Sequence, residues 1–376
     1  MKINISSSEL FASLQYASRA LGVKTTMPIL DHFLFEASED KLKITASDRE
    51  TTQIVSLEPN SIDEEGAIAV PSHLLLDSLK EFVDQPITIE TNVDTLEVVI
   101  SWETGAISVP GMSAEGYPDV TKQIEEETKK FSIDASVLFD GIALTVFASA
   151  EKSIRPIMNG VFMDITPNEI IFVATDGHKL VKVPVEKTFD IEERMSFTLP
   201  RKAATLLKGF LTKESGTVEV SFDSKNIHFK YDDSILITRA IEGTYPNYNA
   251  VIPQNNKSKV VVNRRNLLNT VKRVSVCSDQ ANKLVKMTLG EDKLGLAACD
   301  IDFATSADDR IEYSYEGDNI AIGLRANHIV EMLSVMSSEE VALELTDATR
   351  AMLILPVNSE NECEKNMVML LMPIML

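Results

Sequence analysis

The chain has 376 residues, of which 44% are apolar and 25% are charged. This balance is typical of a folded globular protein and excludes a collagen-like, largely disordered or multi-span membrane chain. Asp and Glu outnumber Lys and Arg by 57 to 36, which gives a net charge of −21 and, taken alone, argues against nucleic acid as a partner.

The cysteines and the ends of the sequence favour a reducing, intracellular environment. Cys277, Cys299 and Cys363 form an odd set with no short spacing, which excludes a disulfide framework and a cysteine-based zinc site. The first residues show no signal-peptide pattern. The apolar stretch 367–376 is broken by Pro373 and is shorter than the roughly 20 residues that cross a bilayer. We therefore expect a cytoplasmic protein.

In chain order, the first predicted elements are a strand and a helix, and the same pair recurs twice. Each strand is indicated by two apolar residues at alternate positions, and each helix by an apolar stripe at helical spacing. The strand pairs are Ile3 and Ile5, Phe131 and Ile133, and Val260 and Val262. The first leucines of the stripes, Leu10, Leu138 and Leu267, lie 128 and 129 residues apart, which indicates an internal repeat.

Three further landmarks follow in the same order within the repeats. A strand pattern runs into an aspartate at Asp48, Asp176 and Asp300, where we favour a turn or cap at the strand end. Pro71 and Pro200 each open an apolar helical stretch. Glu115–Pro118 resembles Glu242–Pro246. These landmarks predict three similar domains, at residues 1–122, 129–252 and 258–376, joined by polar linkers.

Each repeat has an α+β pattern, with two helices and two small antiparallel sheets. Alternating residues over 218–222 and 227–231 flank a polar stretch, Asp223 to Asn226, which predicts a hairpin. Residues 87–89 and 96–98 flank a second polar turn that begins at Asn92.

Positive charge is concentrated on two of the six predicted helices. The six helical windows are 7–20, 72–84, 136–150, 200–213, 263–276 and 325–337. Windows 200–213 and 263–276 each contain four basic residues and no acidic one. A basic helix face is most often only solvated surface, but two such faces at related repeat positions in an acidic chain favour contacts with a phosphate backbone. The acidic remainder need not prevent this, because charges are screened over roughly 8–10 Å.

The landmarks together resemble the bacterial sliding clamp family, the beta subunits of DNA polymerase III, along the whole chain. The residues that carry the resemblance are Met27–Leu30, Ala174–Leu180, Leu199–Lys202, Gly243–Tyr248 and Leu371–Leu376. Each motif alone is modest, and their order and spacing make the set specific.

The resemblance implies a DNA clamp fold of three tandem domains and a head-to-tail homodimer that closes into a pseudo-sixfold ring. It implies helices that line the hole and sheets on the outer rim. Such a ring encircles double-stranded DNA without reading its sequence and tethers the replicative polymerase, which keeps the local concentration of polymerase high. The implied partners that dock by short linear motifs are the polymerase, the clamp loader and repair proteins.

The DNA-facing set combines two sources. Matching positions of the resemblance give Lys24, His73, Lys152, Arg155, Arg201 and Lys202. The two basic helices add Lys208, Arg264, Arg265, Lys272 and Arg273. His73 departs from the family, where a basic residue is more usual, and Pro156 and Ile157 stand where some relatives have aromatic residues.

The resemblance also implies a peptide pocket between the second and third domains. The matching positions are Met158, Thr175, Gly177, His178, Lys179, Leu180, Pro246, Val251, Leu370, Met372, Pro373 and Ile374. Leu and Met side chains give an adaptable apolar surface that suits several partners. Met375, Ala250 and Asn282 depart from the family, so partner preference is expected to differ. The simplest alternative for the tail is a core strand, which we expect for Leu371.

No phosphate-binding glycine loop, dinucleotide fingerprint or HExxH motif occurs. We therefore expect no cofactor, no metal and no catalytic activity. Two alternatives remain at this point: an enzyme that uses Asp176 and His178 for acid–base chemistry in an interdomain cleft, and an oligomeric scaffold that does not bind DNA.

Overall fold

A computed structural model describes residues 1–22, 27–92, 94–118, 128–211, 216–290, 292–360, 362–364 and 366–376. The α-helices in these ranges are α1 (Ser7–Ala17), α2 (Ser72–Leu79), α3 (Ala135–Thr145), α4 (Arg201–Phe210), α5 (Arg264–Ser275) and α6 (Ala326–Val335).

The strands of the first third of the chain are β1 (Lys2–Ser6), β2 (His32–Ser38), β3 (Lys41–Ser47), β4 (Thr51–Leu57), β5 (Ser61–Glu64), β6 (Gly66–Pro71), β7 (Pro86–Thr91), β8 (Glu97–Trp102), β9 (Gly105–Pro110) and β10 (Met112–Ser113). The middle third has β11 (Lys129–Asp134), β12 (Gly160–Thr166), β13 (Glu169–Thr175), β14 (Lys179–Glu186), β15 (Met195–Pro200), β16 (Thr217–Phe222), β17 (Asn226–Tyr231) and β18 (Ser234–Arg239). The last third has β19 (Ser258–Asn263), β20 (Leu284–Leu289), β21 (Leu294–Asp300), β22 (Thr305–Ile311), β23 (Ser314–Glu316), β24 (Ile320–Arg325), β25 (Glu340–Leu345), β26 (Met352–Val357) and β27 (Val368–Leu371).

The chain divides into two compact units. The first contains residues 1–139 and 202–240, and the second contains residues 140–201 and 241–376. The middle repeat therefore contributes to both units. The limits 1–122, 129–252 and 258–376 stay a prediction, since this division follows different lines.

The first unit contains two antiparallel sheets. A five-stranded sheet has the order β5-β1-β7-β8-β9, and a nine-stranded sheet has the order β10-β6-β2-β3-β4-β18-β17-β16-β11. The nine-stranded sheet is continuous because β18 pairs with β4, with Ser234 opposite Val55 and Thr238 opposite Thr51. Strands of the first and second repeats thus share one sheet, where the sequence predicts only separate small ones.

The second unit has the same plan. Its nine-stranded sheet has the order β15-β12-β13-β14-β27-β26-β25-β19-β23, and its four-stranded sheet has the order β22-β21-β20-β24. Here β14 pairs with β27, with Lys179 opposite Leu371 and Lys182 opposite Val368. Pairing of this kind removes two exposed strand edges that would otherwise invite aggregation.

The repeated aspartates act as turn residues, as predicted. Asp48 Oδ1 accepts from the amides of Glu50 and Thr51 at 3.0 and 2.7 Å. Asp176 Oδ1 accepts from the amides of His178 and Lys179 at 2.8 and 2.9 Å. Asp300 Oδ1 makes the equivalent pair of bonds to the amides at 302 and 303, at 3.0 and 3.2 Å. Each carboxylate satisfies backbone donors that the strand leaves unpaired.

The predicted hairpins and helices also form. β16 and β17 pair about Asp223, whose Oδ1 accepts from the amides at 225 and 226. Helix α2 ends at Leu79, earlier than the window 72–84 predicts. Helix α3 gives way at Val146 to a 3₁₀ turn. Pro71 and Pro200 end strands and stand directly before α2 and α4.

Each unit has its own apolar core. In the first unit, helix α1 packs Leu10 and Leu14, both fully buried, toward β3 and β4. In the second unit, one buried cluster connects strands β13, β14, β26 and β27 through the side chains of Val173, Leu180, Leu353 and Leu370, and Tyr245 and Tyr248 pack against it. Leu371 is fully buried, as the core-strand interpretation predicts. No helix in the described part of the chain is long and apolar enough to cross a membrane.

Candidate DNA-facing and peptide-docking residues

Several basic residues of the predicted DNA-facing set are held by contacts within the chain. In the second unit, Arg201 Nη1 donates to the carbonyls of Ser149 and Val146 at 2.5 and 3.4 Å. These carbonyls follow the C-terminus of α3, where helical carbonyls lack intrahelical donors. The guanidinium therefore caps a helix end as well as carrying charge.

Lys202 makes an equivalent contact inside the first unit. Its ammonium donates to the carbonyls of Ala20 and Leu21 at 2.8 and 3.1 Å, just beyond α1. It also pairs with Asp48 at 2.6 Å. Three acceptors fill the donor capacity of an ammonium group.

Arg264, in the second unit, likewise donates to backbone carbonyls near the end of a helix. Its Nε donates to the carbonyl of Ser338 at 2.6 Å, and its Nη1 donates to the carbonyl of Leu333 at 3.0 Å. Leu333 lies in the last turn of α6 and Ser338 lies three residues beyond its end, so the first residue of α5 satisfies carbonyls at and just after the end of the neighbouring helix.

Arg273 is hydrogen bonded to side chains of the same chain. Its Nη2 lies 2.5 Å from Asp309 Oδ2 and 2.8 Å from Thr270 Oγ1. The hydrogen bond from Arg273 lowers the pKa of Asp309. The pair is exposed on the arginine side, so its net contribution to stability is small.

The remaining predicted DNA-facing residues lie on the surface. His73, Lys152, Arg155, Arg265 and Lys272 are exposed, and Lys208 is half-buried. Lys24 lies outside the described residues. The basic set therefore has two parts: cations that cap helix ends, and cations whose side chains extend into solvent.

The predicted peptide-docking residues fall into a buried group and an accessible group in the second unit. Met158, Thr175, Lys179, Leu180 and Leu370 are buried. Gly177, His178, Val251 and Met372 are exposed, and Pro246, Pro373 and Ile374 are half-buried. Leu180 and Leu370 sit opposite each other on β14 and β27, so their strand pairing supports the floor of this surface.

The turn after β13 positions the polar part of this surface. Thr175 Oγ1 donates to the carbonyl of Lys179 at 2.7 Å and accepts from the amide of Gly177 at 3.1 Å. Gly177 has φ +88°, a conformation that favours glycine. The amide of Met372 donates to the carbonyl of His178 at 2.8 Å, which brings the C-terminal tail against this turn.

Lys179 is a buried cation with carboxylate partners. Its ammonium is hydrogen bonded to Glu331 Oε2 and lies 3.7 Å from Asp176 Oδ2. It also lies 5.5 Å from the centre of the Phe147 ring, within the range of a cation–π contact. A buried cation requires such partners, because the loss of water around it is costly.

A cleft of about 710 Å³ opens beside this turn, entirely within the second unit. It is lined by Phe147, Ser149, Ala150, Glu151, Lys152, Ser153, Ile154, Asp176, His178, Lys179, Arg201, Arg325, His328 and Glu331. It thus brings together residues that the sequence assigns to DNA (Lys152, Arg201) and to peptide docking (His178, Lys179). The sequence does not single out Arg325 and His328 as site residues, because the window 325–337 has no net charge.

The acid–base alternative finds no support in this geometry. Asp176 Oδ1 accepts two backbone hydrogen bonds in its turn, and Asp176 Oδ2 faces Lys179 rather than the imidazole of His178. Within the described residues, no cluster of His, Cys, Asp and Glu has the arrangement of a metal site.

The fold is that of a sliding clamp. The chain superposes on the sliding clamp of Pseudomonas aeruginosa with a TM-score of 0.92 at 23% identity, over the full length of both chains. It superposes on the DNA polymerase III beta subunit of Thermotoga maritima with a TM-score of 0.88 at 27% identity, over 100% of this chain and 99% of that one. The beta sliding clamp of Synechococcus elongatus is 26% identical over 95% of this chain and 96% of its own length.

Models of three consecutive domains match the chain in order. The N-terminal, central and C-terminal domains of the DNA polymerase III beta subunit match residues 1–121, 132–247 and 249–373, respectively. The chain therefore belongs to the DNA polymerase III beta subunit family, as the sequence motifs predict.

Proposed function

We propose that this protein is a sliding clamp: it encircles duplex DNA, holds the replicative polymerase on its template and catalyses no reaction itself. The observation that carries this proposal is the ordered match of all three beta-subunit domains across residues 1–373. Because retention comes from topological linkage, individual phosphate contacts can stay weak and sliding can stay fast. The alternatives of an enzyme and of a scaffold that does not bind DNA have no comparable support.

The DNA contacts in this proposal come from the exposed cations. Lys152, Arg155, Arg265 and Lys272 are exposed, and none of them has an ion-pair partner among the described residues, so they can offer charge to phosphates. His73, Lys208 and Lys24 complete the proposed set. Arg201, Lys202, Arg264 and Arg273 contribute positive charge only within the screening length of roughly 8–10 Å, because their donors cap helix ends or pair with an acid. Such contacts are independent of DNA sequence.

The peptide-docking role is proposed for the surface around β14 and β27. Its support is the combination of exposed apolar side chains, Val251 at 57% and Met372 at 38%, with a rigid floor of buried leucines. A firm floor with adaptable edges suits short motifs from several partners, such as a polymerase, a clamp loader and repair proteins.

Ring closure is proposed through strand edges of two head-to-tail protomers. The five-stranded sheet ends at β9, whose residues Gly105–Pro110 carry no charge, and the four-stranded sheet ends at β22. The opposite edge strand β5 carries only acidic charges, Asp63 and Glu64, which would repel Asp308 and Asp309 of β22 in a pairing of those two edges. An uncharged edge strand presents unpaired backbone N–H and C=O groups to another strand, and a second copy of this chain supplies that strand. In the proposed assembly, domains 1–122, 129–252 and 258–376 form the ring, and the protein acts in the cytoplasm.

A topological experiment tests the clamp proposal. The protein is loaded by its clamp loader onto nicked circular DNA, and its retention during gel filtration is compared before and after linearisation at a site remote from the nick. We expect retention on the circle and loss from the linear form, because a ring slides off free ends. Equal retention on both forms would contradict the ring mechanism, and binding to neither would favour the scaffold alternative.

A further inference from the structure

The cleft beside Lys179 contains more charged groups than an apolar docking surface requires. Four of its lining residues, Lys152, Lys179, Arg201 and Arg325, carry a fixed positive charge. Three others, Glu151, Asp176 and Glu331, are acids. The way these groups pair within the chain shows which of them remain for a ligand.

Two of the three acids pair with the same cation. Glu331 and Asp176 both face the buried ammonium of Lys179. Glu151 is 84% exposed and lies 3.9 Å from Arg201, the limit of an ion pair. The internal pairs therefore balance Lys179 and hold Arg201. Among the described residues, no carboxylate forms an ion pair with Arg325 or with the exposed Lys152.

Arg325 is the lining residue that lacks a hydrogen-bond acceptor for one of its donors. Its Nε is buried and has no hydrogen-bond partner in the described part of the chain. A buried charged donor without an acceptor is costly, because it has lost its hydrogen bonds to water and gained none in return. An acceptor brought by a ligand would remove that cost.

The backbone near Arg325 favours the same kind of ligand. Arg325 is the N-cap of α6 and provides no side-chain cap, and His328 lies in the first turn of this ten-residue helix. The N-terminal turn of a helix carries partial positive charge and stabilises anions. The pKa of His328 is lowered, first by burial and then by Lys179, with a smaller contribution from Arg325, while Asp176 and Glu331 act in the opposite direction.

We propose that this cleft binds the carboxylate of a glutamate or aspartate in a docked partner peptide. Arg325 donates the main hydrogen bond to this carboxylate, and His328 lies beside it. The proposal rests on the peptide-docking role proposed above and specifies the chemistry of the preferred partner. The cleft is continuous with that surface, because the tail residue Met372 is hydrogen bonded to His178, one of the cleft's lining residues.

A peptide fits these observations better than a DNA backbone. The three acids of the lining would repel a row of phosphates, whereas a single carboxylate needs only one short approach to Arg325. The half-buried Phe147 and the buried Lys179 also form part of the wall, and a single charged hydrogen bond beside such groups is weakened less by water.

The test uses a set of capped peptides that share a short block of apolar residues and have one Glu or one Gln placed in turn at each position on both flanks. Dissociation constants are measured by calorimetry with the full chain. We expect at least one flank position where Glu binds about tenfold tighter than Gln, which is the difference of one strong charged contact.

Two variants locate the effect. Arg325→Gln should reduce the preference to about twofold or less, while the matched control Arg350→Gln, at an exposed arginine that pairs with Asp347, should keep it. Equal binding of Glu and Gln peptides at every position by the unmodified protein would overturn the proposal, whatever the variant's stability. So would a preference that survives Arg325→Gln.

The remaining outcomes separate this proposal from the clamp function. If no peptide binds, the peptide-docking role fails and this proposal fails with it, while retention on circular DNA is unaffected. If Arg325→Gln weakens binding to a short DNA duplex and leaves peptide preference unchanged, the cleft contacts phosphates and the peptide occupant is rejected.

Discussion

At the scale of single residues, a basic side chain at a helix start has two roles that sequence alone does not distinguish. Arg264 and Arg265 are adjacent on α5, yet Arg264 is half-buried and bonded to two carbonyls, whereas Arg265 is exposed. A helical projection treats both as solvated charges. The structure separates them because the end of α6 lies within reach of only one.

This adjacent pair gives a matched prediction. Arg264→Gln should lower the free energy of unfolding by about 1–3 kcal/mol, because two carbonyls at and just after the end of α6 lose a charged donor. Arg265→Gln should leave it within about 0.5 kcal/mol, as expected for an exposed residue. Urea unfolding of both variants measures the difference.

The same two variants distinguish an effect on stability from an effect on DNA binding. Arg265→Gln should weaken binding to a short duplex and reduce the magnitude of the salt slope, d log K/d log [salt], by about one phosphate contact. If Arg264→Gln leaves stability unchanged, the capping role is wrong. If Arg265→Gln leaves the salt slope unchanged, Arg265 is not a phosphate contact.

At the scale of secondary-structure elements, much of the fold could be predicted from the sequence. The turn aspartates Asp48, Asp176 and Asp300 and the hairpin at Asp223 follow from local rules: alternation sets a strand and an Asx turn ends it. The pairing of β4 with β18 could not be predicted in this way. It joins residues more than 170 positions apart, and nothing local specifies which edge a strand meets.

The cleft escaped prediction for the same reason. Its walls come from the 147–154 loop, the turn at 176–179 and the start of α6. Arg325 has an ordinary local context at the end of β24, and its unpaired Nε is visible only when these segments are together. Local pattern predicts elements well, while sites built from distant segments depend on tertiary structure.

The C-terminal tail is an element with two parts and supports a second prediction. Strand β27 is buried between β14 and β26 in the nine-stranded sheet. Pro373–Leu376 follow it and contact β24 of the four-stranded sheet, where the amide of Ile374 donates to the carbonyl of Gly323 at 2.9 Å. Deleting Pro373–Leu376 should abolish peptide binding and cost only about 1 kcal/mol of stability, the value of one hydrogen bond. Dimerisation should persist.

A shorter deletion controls for the tail's length. Removing only Met375 and Leu376, which are 95% and 60% exposed, should retain most peptide affinity. Calorimetry with the capped peptides and sedimentation equilibrium report the two properties separately. Loss of both peptide binding and dimerisation in the longer deletion would mean that the tail has only a structural role.

At the scale of the whole molecule, the net charge of −21 is consistent with a DNA-binding clamp once its distribution is considered. Screening limits each charge to about 8–10 Å in cellular salt, so exposed cations on α5 act locally in spite of the acidic remainder. Retention by linkage also relaxes the demand for affinity. A protein that cannot leave a closed circle needs only enough positive charge to avoid repulsion.

Ring closure through β9 gives the last prediction. Ala106 and Ser108 are exposed on this uncharged edge strand and flank Ile107. Replacing both with lysine should block strand addition, because charged side chains protect sheet edges. We expect sedimentation equilibrium at micromolar concentration to show monomers, and nicked circular DNA to lose the protein during gel filtration. Peptide affinity should be unchanged, since the docking residues lie in the other unit.

The matched change on β5, Ser61→Lys with Asp63→Lys, should leave the dimer intact. A dimer that survives the β9 change, or dissociates with the β5 change, would place the ring interface elsewhere.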